Sequence, residues 1–143
     1  MNKIIKIAAA IILIVTIASC KKSDDSISSQ VAQLTQTVQQ GKWKVTYYND
    51  NGTVETSTYS GYEFVFSSNG TVTASKGAIT VNGTWSDGND DDTLKLYLNF
   101  GTVSPFEELN DDWHVTGQSS TVITLEDVSG GGSPTDYLTF EKI

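Results

Sequence analysis

The sequence predicts an all-β protein: a small antiparallel up-and-down β-barrel with a short N-terminal helix and one helical-turn lid near residues 104–110. Three observations carry this. From Lys42 onward apolar residues recur at every second position, the period of a half-buried strand. Asn-Gly pairs and Gly/Asp-rich stretches separate the runs at short intervals. An apolar stripe at helical spacing precedes Gly41 and is not repeated at that length. About eight or nine strands in about a hundred residues fit a barrel, with a two-sheet sandwich as the alternative.

Residues 26–40 read as the helix, because Ile27, Val31, Leu34 and Val38 step by four, three and four along one face. Asp25 or Ser26 suits its start, and Gly41 supplies the left-handed residue that ends it. Its other face is uncharged Ser, Gln and Thr. So thin a stripe needs a partner, either the barrel end or another chain.

The strands follow. Trp43, Val45 and Tyr47 share one face of the first; Tyr62, Phe64 and Phe66 share one face of another. Thr53–Thr58 and Thr71–Ser75 are weaker, Thr-rich strands. Ile79, Val81 and Trp85 form the next face, then Leu94, Leu96, Leu98 and Phe100. Trp113 pairs in phase with Val115, Ile123 with Leu125, and Leu138 with Phe140. Asn51-Gly52 and Asn69-Gly70 suit type I′ turns, whose two central residues both need positive φ. Asp87–Asp92 and Ser129–Pro134 read as loops. Asn82-Gly83 falls inside a strand, where the glycine marks a bulge or a close backbone approach. Ser104-Pro105-Phe106-Glu107 has the pattern of a capping box, with Pro at the first helical position. Phe106 and Leu109 then turn onto the core, and Glu108, Asp111 and Asp112 stay outside.

Composition excludes more than it identifies. The 143 residues carry nine lysines, no arginine and 17 acidic residues, for a net charge of −8. Nucleic-acid binding relies on clustered Arg and Lys, so no nucleic-acid partner is expected. Cys20 is the single cysteine, which rules out an internal disulfide. Lys3 and Lys6 precede an apolar run from Ala8 to Ile17, followed by Ile17-Ala18-Ser19-Cys20. A basic start, an apolar stretch too short to span a bilayer and a small-residue cleavage site define residues 1–19 as a signal peptide.

With a cysteine at the cleavage point, that segment resembles a bacterial lipobox. The resemblance implies cleavage before Cys20 and diacylglycerol on its thiol. Residues 20–25 then form the lipidated cysteine and tether, with the membrane as partner through that lipid. Lys22–Asp25 loosely resembles the surface-export signal of Bacteroidetes-type lipoproteins, which implies an outer-membrane location on the periplasmic or cell-surface face.

Residues 41–143 form the barrel domain. Gly41-Lys42-Trp43 resembles the G-x-W motif of lipocalins. Together with the lipoprotein signal, Phe106-Glu107-Glu108-Leu109 ahead of Asp112-Trp113, and the ending Asp136-Tyr137-Leu138-Thr139-Phe140-Glu141-Lys142, it resembles the lipocalin-like lipoproteins of Bacteroidetes-type bacteria. The resemblance implies a Trp43 that closes the barrel base beneath a cation after the last strand, for which Lys142 is the candidate.

The candidate site is the barrel interior: Trp43, Tyr47, Phe64, Phe66, Trp85, Leu96, Leu98, Phe100 and Trp113. An eight-stranded barrel has room for packed side chains or for one small ligand. Rings this large on strands this short favour a solid core over a small apolar cavity. Two functions follow: a module binding a small apolar ligand, or a solid structural domain contacting an envelope protein or glycan. No catalytic set, cofactor or metal site is expected. His114, the one histidine, is out of phase with Trp113 and Val115 and so faces outward. Asp87, Asn89 and Asp91 begin like a calcium loop, but Asp92 stands where Gly is needed and Leu98 where Glu is needed. That rules out an EF-hand and leaves a weak calcium site at residues 87–92 as the alternative to a plain acidic hairpin loop.

Overall fold

The computed structural model describes residues 22–128 and 134–143, with side chains described from Ser26. The signal segment, Cys20 and most of the Ser129–Pro134 loop lie outside the described residues.

Helix α1 (Lys22–Val38) is followed by β1 (Trp43–Asp50), β2 (Thr53–Val54), β3 (Glu63–Phe66), β4 (Thr71–Lys76), β5 (Ile79–Asp90), β6 (Thr93–Asn99), β7 (Asp111–Gln118), β8 (Val122–Val128) and β9 (Thr135–Lys142). Strands β3 to β9 pair antiparallel in sequence order, and β9 returns to β1 in a register running from Trp43↔Lys142 to Asn49↔Tyr137. That return closes an eight-stranded barrel and removes the sheet edges a sandwich would keep. Strand β2 is a short flap on β1, joined through Asn51 and Gly52, both at positive φ (48° and 85°) as a type I′ turn requires.

Helix α1 begins four residues before the expected start, so Lys22–Asp25 forms its first turn and Asp25 and Ser26 lie inside it. Its stripe behaves as the spacing dictates. Ile27, Leu34 and Val38 are buried in the same core as the barrel residues, and Val31 packs against it. The helix lies against β5 and β6 at the barrel end where β1 starts. There the Trp43 indole N–H donates to the Val38 carbonyl at 2.9 Å, and the Thr35 hydroxyl donates to the Asp87 carboxylate. Gly41 has φ 86°, and a Cβ on it would stand 3.0 Å from Lys142 Cε. A side chain is therefore disfavoured there by conformation as well as by space.

Four local readings differ from the structure. Thr56–Tyr59 is a 3₁₀ turn instead of the end of a strand, and it buries Tyr59. At Asn69-Gly70 only the glycine has positive φ; Asn69 instead accepts the Thr71 N–H on its side chain at 3.0 Å. Strand β5 runs on to Asp90, and Asp91 and Asp92 make the tight turn themselves at φ 46° and 59°. Short polar side chains tolerate the left-handed region well enough for this. At the lid, Phe106–Leu109 is a 3₁₀ turn after a cis Ser104–Pro105 peptide, and no side chain caps it. The expected capping box does not form; the Glu107 N–H bonds the Val103 carbonyl at 3.0 Å.

Candidate functional site: a filled barrel interior

The alternating strands project one residue in two into the barrel, and those residues fill it. Trp43, Phe64, Phe66, Trp85, Leu96, Leu98, Phe100 and Trp113 are all buried, between 0% and 7% exposed. The Phe64 ring meets Phe140 at 5.2 Å, Phe106 at 6.2 Å and Phe100 at 6.4 Å between centroids. Phe66 meets Trp85 at 5.6 Å and Phe140 at 5.7 Å, both edge-on. These are the spacings of rings in direct packing contact.

Tyr47 is the exception: it is 40% exposed and faces outward. The β1–β9 register shifts between Val45 and Tyr47, so Thr46 is an extra residue in β1. One inserted residue exchanges the faces of everything after it, and Tyr48, 1% exposed, takes the interior place.

Both barrel ends are shut. Beneath α1, Lys142 Nζ lies over the Trp43 ring, 5.7 Å from its centroid. At the opposite end the 3₁₀ lid inserts Phe106 and Leu109, 1% and 0% exposed, as the sequence led one to expect. Three ring donors hold the lid's carbonyls: Tyr48 to Glu108 at 2.9 Å, Tyr59 to Pro105 at 3.0 Å, and the Trp113 indole to Leu109 at 3.0 Å. Burial, with nearby carboxylates adding to it, pushes both phenols far above their ordinary range. They stay neutral donors. Asn110 fastens the neck of the loop, accepting from the Phe100 N–H at 2.5 Å and donating to the Gly101 carbonyl at 2.7 Å. Gly83 proves to be a close approach: a Cβ there would fall 2.6 Å from the Asn99 carbonyl oxygen and 2.7 Å from the Phe100 ring.

The polar candidates lie elsewhere. His114 faces outward as expected, with Nδ1 3.3 Å from Glu126 Oε1. Asp87 and Asn89 are strung along an extended strand instead of being wrapped around a centre, and Thr35 holds Asp87. Carboxylates converge instead at Asp111, Asp112 and Asp127, whose oxygens lie within 4.8 Å of one another. Cross-strand neighbours on β7 and β8 create this group, so sequence spacing did not signal it. Asp111 was expected outside but is partly buried, because it shares the inward phase of Trp113. Burial, reinforced by Asp127 and Asp112, raises its carboxyl to about 6 although the Asp112 N–H pulls the other way. Lys95 Nζ stands 3.5 Å from Asp112.

Depressions in the outer surface are shallow. One of about 320 Å³ runs between α1, the start of β6 and the middle of β7, over Ile27, Leu94 and Val115, with His114 at its side. Another of about 280 Å³ continues past His114 between Asp90, Asp91, Glu126 and Asp127. A third, of about 490 Å³, lies between β1 and the 3₁₀ turn at Thr56–Tyr59.

Fold and interior together define a closed eight-stranded antiparallel barrel, packed with aromatic side chains and stoppered at both ends. No protein-family model matches the chain, and no curated protein matches it. Among solved structures it is similar to a DUF4847 family protein from Bacteroides vulgatus ATCC 8482. That similarity is 20% identity and a TM-score of 0.49, over 77% of this chain and 97% of that one. A likeness at this level carries no argument about function.

Proposed function

We propose that this chain is a non-catalytic envelope lipoprotein. In this reading Cys20 carries the lipid that holds it to the outer membrane, and the barrel works through its outer wall as a structural or protein/glycan-interaction domain. The filled interior is the observation that carries the reading. A small apolar ligand among Trp43, Phe64, Phe66, Trp85 and Trp113 would have to displace Phe106 and Leu109, which are wholly buried and tied down by Tyr48, Tyr59 and Trp113. Catalysis has little to draw on, because the one histidine sits on an open wall engaged by Glu126. The anchor rests on the basic, apolar and small-residue pattern of residues 1–20. Lys142 over Trp43 supports the lipocalin-like resemblance.

Membrane fractionation of a lipoprotein-processing host, followed by native mass spectrometry of the gently extracted protein, tests both halves. Wild type should fractionate with membranes, Cys20→Ala should not, and the intact mass should equal polypeptide plus acyl lipid. A Cys20→Ala protein still held by membranes overturns the anchor. A further retained apolar molecule overturns the solid-barrel role.

A further inference from the structure

The wall of the barrel is weakest at one seam. Strands β1 and β3 share a single paired position, Trp43↔Phe64, whereas every other pair of neighbouring staves shares four or more. Beyond that rung β1 bonds the chain ahead of β3 instead: the Tyr48 N–H donates to Thr56 Oγ1 at 2.9 Å, and the Glu55 N–H donates to the Tyr48 carbonyl at 3.0 Å. Between rung and bond lies the depression of about 490 Å³, lined by Lys44, Val45, Thr46, Ser57, Tyr59 and Ser60 among others. Val45 and Tyr59, 7% and 1% exposed, give it an apolar floor.

The seam depression differs in charge from the two depressions beside His114. The chain carries −8 overall, and the depressions beside His114 are lined by Asp92, or by Asp90, Asp91, Glu126 and Asp127. No carboxylate lines the seam depression, and Lys44 projects at its rim, exposed. Lys76 borders it as well, with Nζ on the Ser60 carbonyl at 2.8 Å and over the Tyr62 ring at 5.5 Å. Lys42 nearby is paired with Glu63 at 2.5 Å, and Lys44 stands opposite Glu141 across the β1–β9 ladder. One lining cation, Lys44, with neighbouring hydroxyls and an apolar floor, forms a concave site that complements an anionic head on a short apolar body.

We propose that the β1–β3 seam binds a small organic carboxylate, with the carboxylate at Lys44 and the hydroxyls of Ser57 and Ser60, and its apolar part on Val45 and Tyr59. The site lies outside the filled interior, so it deepens the outer-wall reading above yet fails separately from it. Amide chemical shifts of the ¹⁵N-labelled, lipidated chain in lipid nanodiscs, titrated with butyrate, provide the test, with butylammonium as the opposite charge. Saturable shifts with butyrate are expected at Lys44–Thr46 and Ser57–Gly61 at millimolar concentration, and none with butylammonium. Lys44→Glu should weaken binding about tenfold or more, while Lys44→Arg should keep it within about threefold. Both substitutions are at an exposed position and leave the core intact. Absence of saturable shifts overturns the proposal, as does equal binding of butylammonium. Shifts at Phe64, Phe106 and Trp113 instead would overturn it and the filled-interior reading together.

Discussion

Phe64 is wholly buried where β3 meets the lid and the last strand, so its truncation measures how tightly the interior is packed. Removing the ring forfeits roughly 2–3 kcal/mol of transfer free energy. Its partners Phe140, Phe106 and Phe100 sit on three different segments, at 5.2, 6.2 and 6.4 Å. Each is pinned by its own contacts, so none can swing in to fill the gap. A residual void of roughly 80 Å³ at about 24 cal/mol per Å³ adds about 2 kcal/mol, which places Phe64→Ala at about 4–5 kcal/mol. Tyr47, 40% exposed on the same sheet, should cost less than about 1 kcal/mol on conversion to Ala. Urea unfolding followed by tryptophan fluorescence, with unchanged slope, gives both numbers. Phe64→Leu, expected to cost about 1–2 kcal/mol, covers the case in which the Ala variant does not fold. A Phe64→Ala cost below about 1.5 kcal/mol would mean the interior is loosely filled. A Tyr47→Ala cost equal to that of Phe64→Ala would mean the β1 bulge is not there.

Gly83→Ala should destabilise by about 1–3 kcal/mol in the same assay, because the added Cβ meets the Asn99 carbonyl and the Phe100 ring below 3 Å. Tyr48→Phe should cost about 1 kcal/mol by leaving the Glu108 carbonyl without its buried donor. Asp111 titrates near 6 instead of its ordinary 3.8, so the folded state holds its proton more tightly than the unfolded chain does. Its ionisation therefore costs stability that is regained as pH falls from above 6 toward 4. With partial exposure weakening the effect, Asp111→Asn should exceed wild type by about 1 kcal/mol near pH 7.5 and match it near pH 3.5 in thermal melts.

The period-two pattern made most of the barrel legible, because a side chain on a pleated strand has only two faces to choose between. Phe64, Phe66, Leu96, Leu98 and Trp113 all point where alternation puts them. The same logic failed at Tyr47, since a one-residue bulge carries no composition signal and reverses every face beyond it. Tyr59 was missed for a related reason: within Thr56–Tyr59 no alternation exists, and its burial comes from long-range packing on Tyr48 and Phe106 with its hydroxyl on the Pro105 carbonyl. The lid itself was readable from Phe106 and Leu109, although its cap was not, because the Glu107 N–H goes to the Val103 carbonyl and not to a side chain. Asp91-Asp92 shows the opposite error. A run of acids reads as loop by composition, yet β5–β6 pairing extends to Asp90↔Thr93 and leaves the two residues as a tight turn. The seam between β1 and β3 had no sequence counterpart, because it is a gap in pairing and not a run of residues.

The three tryptophans are natural reporters of the filled interior, since each indole N–H is bonded to a different carbonyl: Val38 beneath the helix, Ser67 beside Phe66, and Leu109 under the lid. Their ¹H–¹⁵N signals, recorded while benzene or xenon is added, test the central claim most directly, because small apolar probes enter dry cavities that are large enough. A full interior predicts three signals that do not move in a saturable way. A saturable shift of any one of them would show that the barrel holds accessible space, and the account of a solid barrel would be wrong.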